Sequence, residues 1–290
     1  MYSKVNCEFL INANELLTDI YVENAGRIKM EGYMGFMDVL GFSGRVLRDA
    51  SLDFFPQFTS VLEKTVAGIK EAGIDCIVSS DSIVIYSMDS EEDSLLAVVK
   101  ACSQLSFYLL SIDLPMRGCI SYGNYTRWET KFGAILAGRP IIDAYHYEEE
   151  QDWIGVMIAP SVIEQYPPID DRQELVACDN AAAARQIRRN CPWPLLIQRC
   201  SAIPFHHVSE LQGYLYDGYA VLPTRHTDAA PEDVIETIGI SIRHLKRLKA
   251  LAPEPQSQEK YATTIRWLKE VRGDWEQIIA SLYWKKKGKA

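Results

Sequence analysis

The chain has no C-x-x-C pair and no even set of cysteines. Its seven (Cys7, Cys76, Cys102, Cys119, Cys178, Cys191 and Cys200) are scattered, several of them inside apolar runs. A cysteine in that setting acts as a small buried hydrophobe, which fits a reducing cytoplasm better than a disulfide framework. Histidine is scarce, and the pair His206–His207 has no second ligand pair nearby, which argues against a zinc site. No uncharged apolar run approaches ~20 residues, so no membrane span is expected. The opening "MYSKVNCEFLINANELL" lacks the charged start and long apolar core of a signal peptide. Positive charge is also short. A net charge of −9 argues against broad binding to nucleic acid or anionic membrane, though a small phosphate site needs only a few local donors. There is no low-complexity segment and no evident repeat.

What is present suits a folded core: 290 residues, 48% hydrophobic and 24% charged. Residues 33–40 read as a buried strand ended by Gly41. Residues 53–70 place Phe54, Phe58, Val61, Leu62, Thr65, Val66 and Ile69 on one helical stripe. "GIDCIVSSDSIVIYSM" reads as two strands, 74–79 and 82–88, around a Ser/Asp turn. Residues 94–111 form a helix apolar almost all round, and a further strand starts after Pro115. "KFGAILAGRPIIDAYHYEEE" reads as a short strand, a glycine turn and a helix over 140–150, and "WIGVMIAPSVI" as a strand turning into a short helix. The order β-α-β-β-α-β predicts an α+β, ferredoxin-like βαββαβ core, an antiparallel sheet with its helices on one face. Three parts are expected: an N-terminal segment over 1–30, the main domain over 31–225 and a C-terminal helical extension over 231–290. In that extension "PEDVIETIGISIRHLKRLKAL" and "SQEKYATTIRWLKEVRGDWEQIIASLYW" are two amphipathic helices that could cap the domain or build a dimer contact. The basic runs "RHLKRLK" and "WKKKGKA" read as a solvated face and a tail.

Two acids stand out. Asp38 interrupts an apolar strand, and Asp81 lies at the hairpin "SSDS", 43 residues on. In the ferredoxin-like order the first strand lies beside the hairpin, so the two carboxylates can meet on one sheet face. Facing carboxylates raise each other's pKa unless a cation lies between them, and a hard divalent ion, Mg²⁺ or Mn²⁺, suits oxygen ligands. Paired metals of this kind clamp the attacking and leaving oxygens of a phosphoryl displacement. The turn "VLGFSG" after Asp38 would add backbone N–H groups for phosphate. Each acid alone also reads as a turn or cap residue.

These residues resemble a family. "FMDVLGFS" is similar to the F-x-D-I-x-G-F-[ST] opening of class III nucleotidyl cyclases. "SSDSIVIY" stands where that family has its second metal aspartate, and "LPMRGCISYG" is similar to its L-R-x-G-I-x-x-G strand. The resemblance covers residues 33–160. It implies two divalent metal ions held by Asp38 and Asp81 with the Val39 carbonyl, and a triphosphate held by the Gly41–Phe42–Ser43 turn. It further implies a head-to-tail homodimer with the nucleotide at its interface. The purine cyclases carry G-x-x-V-N-x-A-x-R on the helix after the fifth strand. Here "GRPIIDAYHYEEE" puts Ile142 at the Asn position and His146 at the Arg position, and Ile77 stands at the adenine-reading Lys.

With those departures the chain resembles a divergent branch, the pyrimidine cyclases of Pycsar anti-phage defence. That resemblance implies cytoplasmic conversion of UTP, or else CTP, to a cyclic mononucleotide and pyrophosphate, and signalling through a downstream effector. The cation that meets the α-phosphate would come from Arg117, Arg139, Lys131 or a partner's Arg127. Arg117 could equally brace an acid. The base pocket would be shaped by Ser79 and Ile77, two and four residues before Asp81, and by Phe132 and Ala134, with Phe132 or Tyr122 filling it for a smaller base. Two rivals stand beside this reading: a catalytically silent, nucleotide-sensing cyclase-homology domain, and a dinucleotide cyclase on the same palm-like fold.

Overall fold

β1 (Arg27–Val39) runs through the middle of one sheet, and its two faces carry different jobs. The computed structural model describes residues 27–49, 51–70, 72–131, 133–166, 196–201, 217–225 and 231–287. After β1 come α1 (Phe42–Arg48), α2 (Phe55–Lys70), β2 (Ile74–Ser79), β3 (Ser82–Ser87), α3 (Glu92–Ser111) and β4 (Met116–Thr130). Then follow β5 (Gly133–Gly138), α4 (Arg139–Glu150), β6 (Val156–Ile158), α5 (Pro160–Gln165), β7 (Ile197–Ser201) and β8 (Asp217–Val221). The chain closes with α6 (Pro231–Leu251) and α7 (Pro255–Lys287). The sheet order is β2-β3-β1-β4-β6-β8-β7, with β5 paired to β4. Its β2-β3-β1-β4 part, antiparallel throughout, is the ferredoxin-like order of an α+β fold.

Tyr33, Met37 and Val39 alternate onto one face of β1 and are buried there. Gly35 on the same face lets α3 approach, since a Cβ built on it would lie 3.1 Å from the Cys102 sulfur. α3 begins at Glu92, two residues before the strongly apolar run, and its N-cap Glu91 makes no side-chain cap hydrogen bond; the Asp89 carboxylate instead braces the approach to it. That carboxylate accepts from the Glu91 N–H at 3.0 Å and from the Ser94 hydroxyl at 2.5 Å. Among the described residues α3 is long and apolar enough to cross a membrane, by length and composition only. Here 67% of its apolar window is buried against the sheet, α2 and α6.

The expectation of helices on one face holds for α2 and α3 and not for α4. Phe36, which points opposite to Gly35, meets Tyr145 of α4 edge-on at 5.5 Å. The Ser121 hydroxyl donates to the Pro140 carbonyl at 2.6 Å on the same side. β1 also begins at Arg27 rather than near residue 33, because the 15-residue β4 pairs with it as far as the Arg27–Trp128 register. The α6–α7 pair joins the main core: Ile238, Ile242, Leu245, Trp267, Leu268 and Trp275 are buried in one cluster with α3, β6 and β8.

Gly118 sits where β4 crosses β1, and a Cβ there would come within 2.6 Å of the Phe36 carbonyl and the Met37 side chain. Gly118→Ala is therefore expected to lower unfolding stability by about 1–3 kcal/mol through overpacking. A urea titration should show a lower midpoint at an unchanged slope.

Candidate active site

β1 is fastened on both edges where it ends. The Val39 N–H donates to the Asp81 carbonyl at 3.0 Å, and the Leu40 N–H donates to the Pro115 carbonyl at 2.8 Å. Asp38 stands opposite Ser82 of β3 and Arg117 of β4. Asp81 occupies the tight turn between β2 and β3, where Ser80 adopts φ 59. A non-glycine residue in that region costs roughly 1–2 kcal/mol, which the zipped hairpin on either side sustains. The result is two carboxylates within each other's field at one end of the sheet. The Asp38 carboxyl is pushed up by burial first and by the Asp81 charge second, with Arg117 pulling the other way.

Ile77 and Ser79 share the Asp38 side of the sheet. Ser79 pairs with Ser82, itself opposite Asp38, and Ile77 pairs with Val84, opposite Phe36. Ile77 packs on a small cluster of Met34, Tyr86 and Tyr125. Past the end of β1, Gly41 takes φ 75 and turns the chain into α1, which has no side-chain cap. Phe42 is 5% exposed, its ring packed on Phe54 and Phe58 at 5.5 and 5.4 Å. Its side chain is thereby taken up by the core, whereas Ser43 is exposed. The first N–H groups of a helix have no acceptor within it.

The expected cations fall in two places. Arg117 is beside Asp38, yet its Nε donates to Glu148 Oε1 at 2.5 Å and its Nη1 to the Gln151 carbonyl at 3.0 Å. Glu148 is 3% exposed, and burial pushes its carboxyl up while Arg117 pulls it down. Of the two readings of Arg117, these contacts are those of a residue that braces an acid. Arg139 is 86% exposed and paired with Asp143 at 3.2 Å. Gly138 before it pairs with Tyr125, eight residues along β4 from Arg117, or about 27 Å at the rise of an extended strand. Arg127, bonded to the Tyr86 hydroxyl at 3.0 Å and ion-paired with Asp75 at 3.4 Å and with Glu129, is also at that far end. Lys131 lies beyond β4. Within one chain none of the three is placed at the acid pair.

Phe132 and His206–His207 lie outside the described residues. Ala134 pairs with Glu129 at the far end of β4. Tyr122 is excluded from a pocket at Asp38, because it points to the opposite face and packs on Tyr33 at 5.1 Å. His146 and Ile142 are exposed on α4. Glu148 and Gln151 were not singled out from the sequence. The available signal was phase: Pro140, Ala144 and Glu148 recur every four residues and all three are buried, unlike Glu149.

Among the described residues no group of three or more His, Cys, Asp or Glu gathers. Two carboxylates are nonetheless the donor set that Mg²⁺ or Mn²⁺ uses, since these ions complete their shell with water and substrate phosphates. The pair fits a hard divalent ion and does not fit zinc.

No protein-family model matches the chain, and no curated protein does. Solved structures similar to it include the catalytic core of a rhodopsin-guanylyl cyclase with converted specificity in complex with ATPalphaS. That likeness has 12% identity and a TM-score of 0.46, covering 68% of this chain and 98% of that one. The adenylyl cyclase CyaB from P. aeruginosa is similar at 13% identity and a TM-score of 0.43, covering 70% and 99%. The non-canonical dimeric guanylyl cyclase domain of the RhoGC fusion protein from the aquatic fungus Blastocladiella emersonii is similar at 15% identity and a TM-score of 0.40, covering 47% and 84%.

A carboxyl whose pKa is raised on folding binds its proton more tightly in the folded state. The metal-free protein therefore loses stability as pH rises from the unfolded carboxyl's range through the raised folded value. Asp38→Asn is expected to raise the thermal midpoint at pH 7 in the presence of chelator. The gain should vanish below about pH 3.5, where the unfolded carboxyl is itself protonated. Equal midpoints for the two proteins at pH 7 would remove the like-charge account of the site.

Proposed function

We propose that this protein is a nucleotidyl cyclase that converts a pyrimidine nucleoside triphosphate, UTP in preference to CTP, to its 3′,5′-cyclic monophosphate and pyrophosphate. The observation that carries this reading is the juxtaposition of Asp38 and Asp81 at the end of β1, pinned by the Val39–Asp81 hydrogen bond at 3.0 Å. Asp38 and Asp81, with the Val39 carbonyl, would hold two divalent ions, Mn²⁺ or Mg²⁺. When bound, such ions lower the pKa of the ribose 3′-hydroxyl and neutralise the triphosphate. The chain's own residues do the rest. The backbone N–H groups of Gly41, Phe42 and Ser43 meet the triphosphate, and Ser79 and Ile77 line the approach to the base.

Ile77 supports the pyrimidine reading. It is apolar, packed beside Tyr86 and Met34, and offers no donor to a purine edge. The separation of Arg139 from the acids supports a head-to-tail homodimer, in which the partner's Arg139 supplies the charge that the α-phosphate needs. The part of the reading that concerns a cyclic messenger, a downstream effector and anti-phage defence rests on the sequence resemblance. The engagement of Arg117 with Glu148 favours a second reading, a catalytically silent nucleotide sensor.

One assay separates them. The purified protein is incubated with each nucleoside triphosphate alone and Mn²⁺, and pyrophosphate and product mass are measured. UTP, or failing that CTP, is expected to give the cyclic mononucleotide, and Asp81→Ala to lower the rate at least ~100-fold. Linear or two-nucleotide products point to the dinucleotide cyclase, and no pyrophosphate from any nucleotide sinks the enzyme reading. The shared site has its own check. Mixing Asp38→Ala with Arg139→Ala, each inactive alone, should restore about a quarter of wild-type activity, because half the dimers are mixed and each has one intact site. No recovery would place the cation elsewhere.

A further inference from the structure

The α6–α7 pair has no place in the resemblance, yet its contacts converge on the segment that follows α4. Trp267 of α7 packs edge-on against Trp153 at 5.1 Å. The Ile154 N–H donates to the Thr264 hydroxyl at 2.9 Å, and Lys260 pairs with Asp152 at 3.1 Å. Trp153 in turn donates its indole N–H to Gln151 Oε1 at 2.5 Å. Gln151 is fully buried, and its Nε2 donates to the Gly118 carbonyl at 2.8 Å while its own carbonyl receives Arg117. The Gly118 N–H closes the loop by donating to the Gly155 carbonyl at 3.0 Å. Arg117, opposite Asp38, is thus held from one side by Glu148 and from the other by a segment that α7 clamps.

We propose that Gln151 is a positioning residue: it ties the C-terminal helix pair, through Trp153 and Thr264, to Arg117 and so sets where Asp38 stands. The inference rests on the reading of Asp38 and Asp81 as a metal-holding pair. Gln151 suits the task because its amide can accept from Trp153 and donate to β4 at once, which no apolar residue of its size does. A buried amide so bonded has a defined rotamer, and loss of either partner leaves a buried polar group unpaired. Displacing α7 would therefore free Arg117 to swing, and the site would lose its geometry without losing a ligand. Groups placed behind metal ligands in this way act on metal affinity as well as turnover.

The test uses the full chain with Gln151→Ala, and with Thr264→Val, which keeps the side-chain volume while removing the bond to Ile154. Leu62→Ala, in the α2 part of the core, serves as the control for general loss of stability. Two readouts are taken: the Arg117 Nε–H signal in ¹⁵N-resolved NMR of the metal-free protein, and the Mn²⁺ dissociation constant from electron paramagnetic resonance. Both test variants should shift the Arg117 signal and speed its exchange with water, and weaken Mn²⁺ binding roughly tenfold. Leu62→Ala should leave both as in the wild type. An Arg117 signal unmoved in both variants, or moved equally by Leu62→Ala, overturns the proposal. If the wild type binds no Mn²⁺ that Asp81→Ala abolishes, the metal-pair reading fails, and the tie is judged on the Arg117 signal alone.

Discussion

The hydrogen bond from the Val39 N–H to the Asp81 carbonyl holds the tip of the β2–β3 hairpin against the end of β1. The Asp81 charge raises the proton affinity of Asp38, so the two acids would otherwise move apart, and the turn that carries Asp81 already includes a strained Ser80. A single such bond is worth about 1 kcal/mol net, too little to hold the pair alone. The holding force is the sheet behind it. β1 is paired along its length to β4 and over Met34–Asp38 to β3, and its other face carries Tyr33, Met37 and Val39 into the core shared with α3. The last hydrogen bond of that ladder only sets the angle at which Asp81 is presented.

Much of this was legible because it is local. The hairpin expected at 74–79 and 82–88, from β-branched runs around a Ser/Asp turn, is found at 74–79 and 82–87, and Asp38 announces itself as an acid among apolar neighbours. Their meeting was inferable from the order of elements alone, since the ferredoxin-like order puts β1 beside β3. The rest depends on which way a side chain points over a long distance. Tyr122 and Arg117 lie on one strand an odd number of residues apart, so only one of them can face the acids, and the strand's register decides which. Glu148 sits in a run of three glutamates, where phase alone separates the buried one from its exposed neighbour. Arg117 could be read from the sequence either as a cation for the phosphate or as a brace, because its partner comes 31 residues later, from α4.

β4 acts as a ruler across the molecule. Its first part lies between β1 and β6 beside the acids, and its second part carries β5 and leads into Arg139 at the start of α4. α4 then runs back along the same face, so that Glu148, near its end, returns to Arg117. One helix therefore has an end at each side of the sheet face: a buried acid that braces the near site, and an exposed arginine at the far edge. The same 12 residues would serve one site by bracing it and a second, in another copy of the chain, by reaching it.

The charges at the near site do not cancel. Arg117 is the positive group acting on Asp38, and it is already bonded to the buried carboxylate of Glu148. Glu148 thus shares the guanidinium whose charge also acts on Asp38. That leaves Asp38 and Asp81 as a pair with no full counter-charge of their own. A half-buried carboxylate facing a second acid weakens the fold, since burial and the like charge both disfavour its ionised form. Positive charge arriving from outside the chain would relieve that cost, and a rigid frame would offer an incoming ion its oxygens at a set spacing. Arg117 belongs to such a frame by its bonds to Glu148 and the Gln151 carbonyl. The segment behind it is bonded on every side, to β4 through Gln151 and to α7 through Trp153 and Ile154.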